Sequence, residues 1–246
     1  MITVIVPTYN EESALGELLR QLRLQIGEGE IIVADGSSRD ATRALAESYA
    51  RVVVSEPRRG AQLNRAAALA RGDNLCFLHA DVRLPENALA AIEVALQDPQ
   101  VVGGTFSLSF GGDGLTAGLF TFINRWRRRF GIFYGDQGIF VRRAVFERLG
   151  GFRDWPLLED YEFARRLVKA GKTVCLPEEL EVSPRRWQTG ANGRGRLWRT
   201  MAAWFFIMTL YLLGVSPERL ARWYPPVRAP KGAAPPVFRA TQGRLN

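Results

Sequence analysis

Cysteine is scarce in this chain: Cys76 and Cys175 are the two among 246 residues. Both sit in apolar, strand-like runs, and two thiols so placed form no framework of paired cysteines. That excludes a disulfide-stapled secreted scaffold and reads as buried thiols in a reducing compartment. A bilayer-length hydrophobic run is also lacking. The most apolar stretch, residues 201–215, is interrupted only by Thr209, and it falls short of the roughly 20 residues a membrane-spanning helix needs. A buried core helix, an interfacial helix and a helix pairing with another subunit, as in a homodimer, all fit it, with core or interfacial ahead of transmembrane. The chain opens directly on a strand, so no secretory signal is expected. The expected location is the cytoplasm, with the inner face of the membrane as a candidate attachment. There is no internal repeat and no recognised nucleic-acid-binding motif.

Charge of one sign is in excess: 33 Lys and Arg against 25 Asp and Glu give a net charge of +8. Much of the excess falls late, within residues 125–129, 185–199 and 219–228. An anionic partner suits this balance, whether a nucleotide diphosphate, a phosphorylated lipid, an acidic membrane surface or nucleic acid. Solvated surface charge accounts for many of the same arginines. With 47% hydrophobic residues, the chain can bury one large core, so one domain with appendages is expected.

Strand-like and helix-like stretches alternate through the first half. Residues 2–6 (Ile-Thr-Val-Ile-Val) are a β-rich run closed by Pro7. Asn10 is placed to cap the following helix, with Glu11 and Glu12 in its first turn and Leu15, Leu18, Leu19 and Leu22 at helical spacing. A strand at 30–34, a helix at 41–49, a strand at 52–54 and a helix opened by Gly60 follow. Residues 75–78 (Leu-Cys-Phe-Leu) are then an unbroken apolar run that ends in His79-Ala80-Asp81. Such alternation marks a parallel sheet covered by helices on both faces. After Gln97 the pattern is mixed, with strands expected at 101–110, 138–141 and 173–176 and a helix from Glu159 to Lys169. From Pro225 onward Pro, Ala, Gly and Arg dominate, and a disordered tail is expected.

Carboxylates collect at these strand ends: Asp35, Asp81 and the pair Glu159-Asp160. A carboxylate just past the carboxyl end of a buried parallel strand lies where open α/β sheets bind ligands. Asp35 is followed by Gly-Ser-Ser, an ordinary turn composition, and taken alone reads as structural. As a set, with Pro7-Thr8-Tyr9-Asn10-Glu11-Glu12, Asp35-Gly36-Ser37-Ser38-Arg39-Asp40-Ala41-Thr42, Gly135-Asp136-Gln137-Gly138 and Leu149-Gly150-Gly151-Phe152, they resemble the family 2 glycosyltransferases of GT-A fold. The resemblance covers roughly residues 1–190. Leu78-His79-Ala80-Asp81 and Ser183-Pro184-Arg185-Arg186-Trp187 are similar to a bacterial subgroup that includes arsenosugar-biosynthesis glycosyltransferases.

The resemblance implies a GT-A fold, a nucleotide-diphosphate sugar donor, a small-molecule or lipid-linked acceptor, and no nucleic acid. It implies a donor-half boundary near 98 and an acceptor half from 99 to 195, and the composition beyond it sets an apolar helical segment at 196–224 and a tail at 225–246. Donor contacts fall on Pro7, Tyr9, Glu11, Asp35, Ala80 and Asp81; Arg59 and Gly60 stand where a cation and a close backbone approach would help hold phosphate, and a surface charge beside Arg58 reads equally well for Arg59. Asp81 is the expected ligand of a divalent cation, Mn2+ or Mg2+, because a leaving diphosphate needs charge stabilisation and hard cations take oxygen ligands. The family often carries Asp-x-Asp where this chain has His79-Ala80-Asp81. His79 is therefore placed behind the metal rather than on it, and the dependence on metal is expected to be looser. Asp160 is the implied general base, with Glu159 the second candidate; both also suit the first turn of a helix. Gly135, Asp136, Gln137, Arg186 and Trp187 are assigned to the acceptor and diphosphate. A Trp at the edge of the core flanked by surface arginines reads equally well for the last two.

Two other classes compete. A non-catalytic protein of the same fold that binds nucleotide-sugars or anions fits the charge. A nucleotidyltransferase of related fold would want a Gly-rich, cationic phosphate loop after the first strand, and residues 7–12 do not form one.

Overall fold

In a computed structural model of the chain, residues 1–110, 137–182 and 193–223 are described. The first strand, β1 (Ile2–Thr8), is formed by the β-branched run and is buried on both sides. It pairs in parallel with β2 (Glu30–Asp35) and with β4 (Asn74–Phe77), and β2 pairs in parallel with β3 (Arg51–Val54). Helices α1 (Glu12–Gln25), α2 (Thr42–Glu47) and α3 (Arg59–Ala68) make the crossovers. The two-residue β5 (Val82–Arg83) and α4 (Ala88–Ala95) follow. The second half adds β6 (Val101–Phe110), β7 (Ile139–Arg142), α5 (Arg143–Arg148), α6 (Glu159–Ala170) and β8 (Lys172–Val182). Helices α7 (Gly193–Leu212) and α8 (Pro217–Trp223) close the described chain.

The strands make one eight-stranded sheet in the order β3-β2-β1-β4-β7-β6-β8-β5. Four pairings are parallel; those of β7 with β4 and β6, and of β5 with β8, are antiparallel. Successive residues of β1 serve opposite layers, as a pleated strand requires. Val4 and Val6 pack with Leu15, Leu18, Leu19 and Leu22 of α1 and Ile92 of α4. Ile5 faces Leu63 and Ala66 of α3 and Phe146, Phe163 and Leu167 of the second half. The α/β sheet with helices on both faces is the architecture the sequence implies.

Two local readings are corrected, and one left open among alternatives is narrowed. Asn10 does not cap α1: the N-cap is Glu11, and Asn10 sits at φ 54° with its Oδ1 accepting from the Arg39 N–H at 2.9 Å. The last strand does not stop at Leu176. It continues to Val182 past Pro177, which cannot donate to a ladder; there β8 advances from Cys175 to Glu179 while β6 advances from Thr105 to Ser107. The apolar run near 201–215 is not a wholly buried core helix. Ile207 and Leu220 pack on Leu158 and Tyr161, while Phe205 is 77% and Leu213 75% exposed.

Candidate active site

The register of the parallel strands places three sequence motifs side by side. Thr8 is opposite Asp35 and Ile5 is opposite Phe77, so β1, β2 and β4 release their chains at one edge of the sheet. Pro7 and Tyr9 are half-buried there. Asp35 is fully buried: its Oδ1 accepts from Thr8 Oγ1 at 3.1 Å and Ser38 Oγ at 2.5 Å, and its Oδ2 from the Ser38 N–H at 2.9 Å. It thus holds the turn that contains Ser37, at φ 62°. The Glu11 N–H is bonded to Thr42 Oγ1 at 2.7 Å, which ties the first motif to the second. Gln62, missed in the sequence reading, donates from α3 to the carbonyls of Thr8 and Ala34 at 3.0 and 2.8 Å. Buried carbonyls at strand ends need such a donor, and nothing local in the sequence announces it.

Arg59, in the first turn of α3, links the two halves of the chain. Its Nη1 lies 3.4 Å from Glu159 Oε1 and 3.6 Å from Asp160 Oδ2. Its Nη2 is 2.5 Å from His79 Nε2. A guanidinium only donates, so Nε2 must be the unprotonated ring nitrogen. Arg59 Nε is buried and makes no hydrogen bond among the described residues. Pro7, Arg59, Phe77, Leu78, His79, Ile139, Phe152 and Asp160 line one cleft. Glu159 lies behind it, only 4% exposed. Burial pushes the Glu159 carboxyl up to about 7; the Arg59 charge opposes this and the Asp160 charge adds to it. Asp160 has 18% of its side chain exposed, and its Oδ1 accepts from the Tyr161 N–H at 2.6 Å.

Further bonds hold α3 against the segment ahead of Glu159. Arg58 pairs with Asp154 at 2.7 Å. Asn64, also missed in the sequence, donates from Nδ2 to the Phe152 carbonyl and accepts on Oδ1 from the Phe152 N–H, both at 2.8 Å. Gly151 is at φ 66°, and a Cβ there would strike Asn64 Oδ1. Gly60 has no room for a Cβ because the Arg153 carbonyl fills that space. That packs the first turn of α3 directly on the backbone ahead of Glu159. Arg166 donates to the carbonyls of Leu149 and Gly151 and is clamped by Glu162. Helix α6 is preceded by its N-cap Leu158, held at φ 66°.

Residues 3–150 match the family described as glycosyl transferase family 2. The chain belongs to glycosyl transferase family 2. It is 30% identical over 203 residues to the O-antigen chain rhamnosyltransferase WbaN of Salmonella anatum, covering 73% of this chain and 64% of that one. It is 36% identical over 117 residues to an undecaprenyl-phosphate 4-deoxy-4-formamido-L-arabinose transferase of Pseudomonas aeruginosa, covering 42% of this chain and 34% of that one. The chain thus spans less than two thirds of the length of either relative. Its fold is shared with the mannosyltransferase PcManGT of Pyrobaculum calidifontis, solved in complex with GDP-Man and Mn2+. That match has a TM-score of 0.65 and 19% identity over 89% of this chain and 66% of that one.

Within this family-2 frame, Asp160 lies beyond the matched residues, while Asp35, Arg59 and Asp81 lie inside them. Ala80 is buried and Asp81 half-buried, just past β4. Among the described residues no group of three or more His, Cys, Asp or Glu side chains gathers as a metal cage. A hard cation held by one or two carboxylates and completed by donor phosphates does not need one, and Asp81 fits that arrangement. His79 faces the Arg59 guanidinium instead. Gln137 is buried at 1% exposure before β7. Gly135, Asp136, Arg186 and Trp187 lie outside the described residues.

Proposed function

We propose that the chain is an inverting glycosyltransferase that moves a sugar from a nucleotide-diphosphate donor to an acceptor hydroxyl, with Asp160 as general base. The observation that carries this is the cleft at the strand ends, which Asp160 lines together with Arg59, His79 and Pro7, while Glu159 is buried beside it against Arg59. Asp160 Oδ1 accepts from the Tyr161 N–H and its Oδ2 faces Arg59 Nη1 at 3.6 Å, so the carboxylate is oriented before a substrate arrives. The acceptor oxygen attacks the anomeric carbon as its proton passes to Asp160. The bond to the donor diphosphate breaks with its electron pair leaving on the diphosphate. A single displacement inverts the anomeric carbon, and no side chain need act as nucleophile.

The donor half is assigned to residues 1–98 and the acceptor half to 99–195, with 196–224 an attached helical segment. The donor lies along Pro7, Tyr9, Glu11, Arg59, Gly60 and Ala80, with Asp35 shaping the pocket through the Ser38 turn it holds. The unbonded Arg59 Nε is a donor suited to a phosphate oxygen. Asp81 would hold a divalent cation, which when bound supplies Lewis-acid stabilisation to the leaving diphosphate. The Mn2+ and GDP-Man bound by PcManGT, and the undecaprenyl phosphate named for the Pseudomonas relative, support a metal-assisted donor and a lipid-linked acceptor.

The test is Asp160→Asn beside Glu159→Gln. Asp160→Asn is expected to bind donor as wild type does and to lose transfer by about 100-fold or more, whereas Glu159→Gln keeps it. Retained transfer in Asp160→Asn would move the base to another residue.

A further inference from the structure

From Ala202 onward, among the described residues, helix α7 is docked by one face and exposed on the other. Ile207, Trp204, Met208 and Tyr211 pack toward Leu158, Tyr161 and Leu220. The Tyr211 ring is 5.9 Å from that of Tyr161 and 6.3 Å from that of Trp155. On the opposite side Phe205 is 77%, Phe206 57%, Leu212 65% and Leu213 75% exposed, with Ala202 and Thr209 exposed among them. At 100° per residue these six positions span about 120° of arc, one continuous stripe. The polar member is neutralised within the helix: Thr209 Oγ1 donates to the Phe205 carbonyl at 2.9 Å.

The helix that follows in the chain, α8, is cationic. Arg219 and Arg222 of α8 are exposed beside Trp223, itself 64% exposed. In the sequence of residues 193–223, Arg194, Arg196, Arg199, Arg219 and Arg222 stand against a single acid, Glu218. Two copies joined face to face would bring like charges together. An anionic lipid surface instead takes the arginines at its headgroups and the aromatic and leucine side chains at the acyl boundary. Among the described residues no helix is long and apolar enough to cross a membrane, so the fitting geometry is a helix lying in the interface.

We propose that the exposed face of α7 and α8 is a docking surface for anionic lipid bilayers. The surface adjoins the cleft, because the buried face of α7 packs on Leu158 and Tyr161, the neighbours of Glu159 and Asp160. Docking there holds the cleft beside the membrane surface. The inference stands without the transfer chemistry.

The test is cosedimentation of the full chain with phosphatidylcholine vesicles, with or without phosphatidylglycerol, alongside light scattering without lipid. The variants are Phe205→Ser/Leu212→Ser/Leu213→Ser and Arg219→Glu/Arg222→Glu, each checked by its melting curve. Wild type is expected to bind the anionic vesicles at least roughly tenfold more tightly than the neutral ones, and both folded variants to lose that binding. Wild type left in the supernatant with anionic vesicles overturns the proposal, as does undiminished binding by the serine variant. A dimer in lipid-free solution that the serine variant dissociates, with no vesicle binding, assigns the face to a second copy instead.

Discussion

At the scale of single residues, the pair Glu159 and Asp160 shows how one residue of separation divides two roles. The pair opens a helix whose first turn also holds Glu162, so both acids satisfy the same helix-terminus electrostatics. Burial separates them. Desolvation raises the Glu159 carboxyl to about 7 although Arg59 Nη1 is 3.4 Å away, and Asp160 adds to the rise. The two influences disagree in sign, and the burial of Glu159 outweighs the ion pair. A carboxyl raised in the folded state favours folding below its ordinary pKa near 4.5. That contribution is lost as pH climbs through 4.5 to about 7. Melting temperatures of wild type relative to Glu159→Gln are therefore expected to fall between pH 4.5 and about pH 7 and to level off above it, because glutamine fixes the neutral form. A constant offset across that range would contradict the burial argument. Asp160, one residue on, reaches the cleft, and the loss of transfer expected of Asp160→Asn belongs to this scale too.

At the scale of elements, α3 is the member that joins the halves. It carries Arg59 to the acidic pair, Gly60 against the Arg153 carbonyl, Gln62 to the ends of β1 and β2, and Asn64 to both backbone groups of Phe152. Asn64→Ala is expected to cost about 2–3 kcal/mol in urea denaturation by stranding a buried N–H and carbonyl. A loss below about 0.5 kcal/mol would mean that the Phe152 turn is held without it. Sequence periodicity located α3 and the strand before Asp81, and the run of strand-end carboxylates located one edge of the sheet. The stitches were not legible. Asn64 reaches a residue 88 positions away and Gln62 one 54 away, and a side chain bonded to distant backbone leaves no local pattern. The tight packing of Gly60 was illegible for the same reason: its close neighbour is the Arg153 carbonyl, from the other half. Pro177 hid the second part of β8 because a proline reads as a strand end unless a bulge absorbs it.

At the scale of the whole molecule, a parallel block, β3-β2-β1-β4, is extended through antiparallel β7 into the strands of the second half. The parallel block sets motifs from residues 7–12, 35–42 and 78–81 at one edge, and α3 brings the start of α6 to the same place. The net charge of +8 suits this edge to a diphosphate and the α7–α8 face to an anionic surface. The central claim is that the edge binds a nucleotide-diphosphate sugar through Asp81. Titration calorimetry tests it most directly, with a panel of nucleotide diphosphates and their sugars, in Mn2+, Mg2+ or chelator, on wild type and Asp81→Ala. The account predicts binding of one nucleotide that is weakened by chelator and lost in Asp81→Ala while the fold is retained. Binding indifferent to both metal and Asp81 would contradict the metal-assisted site and leave the diphosphate to Arg59, and no binding across the panel would contradict the donor site itself.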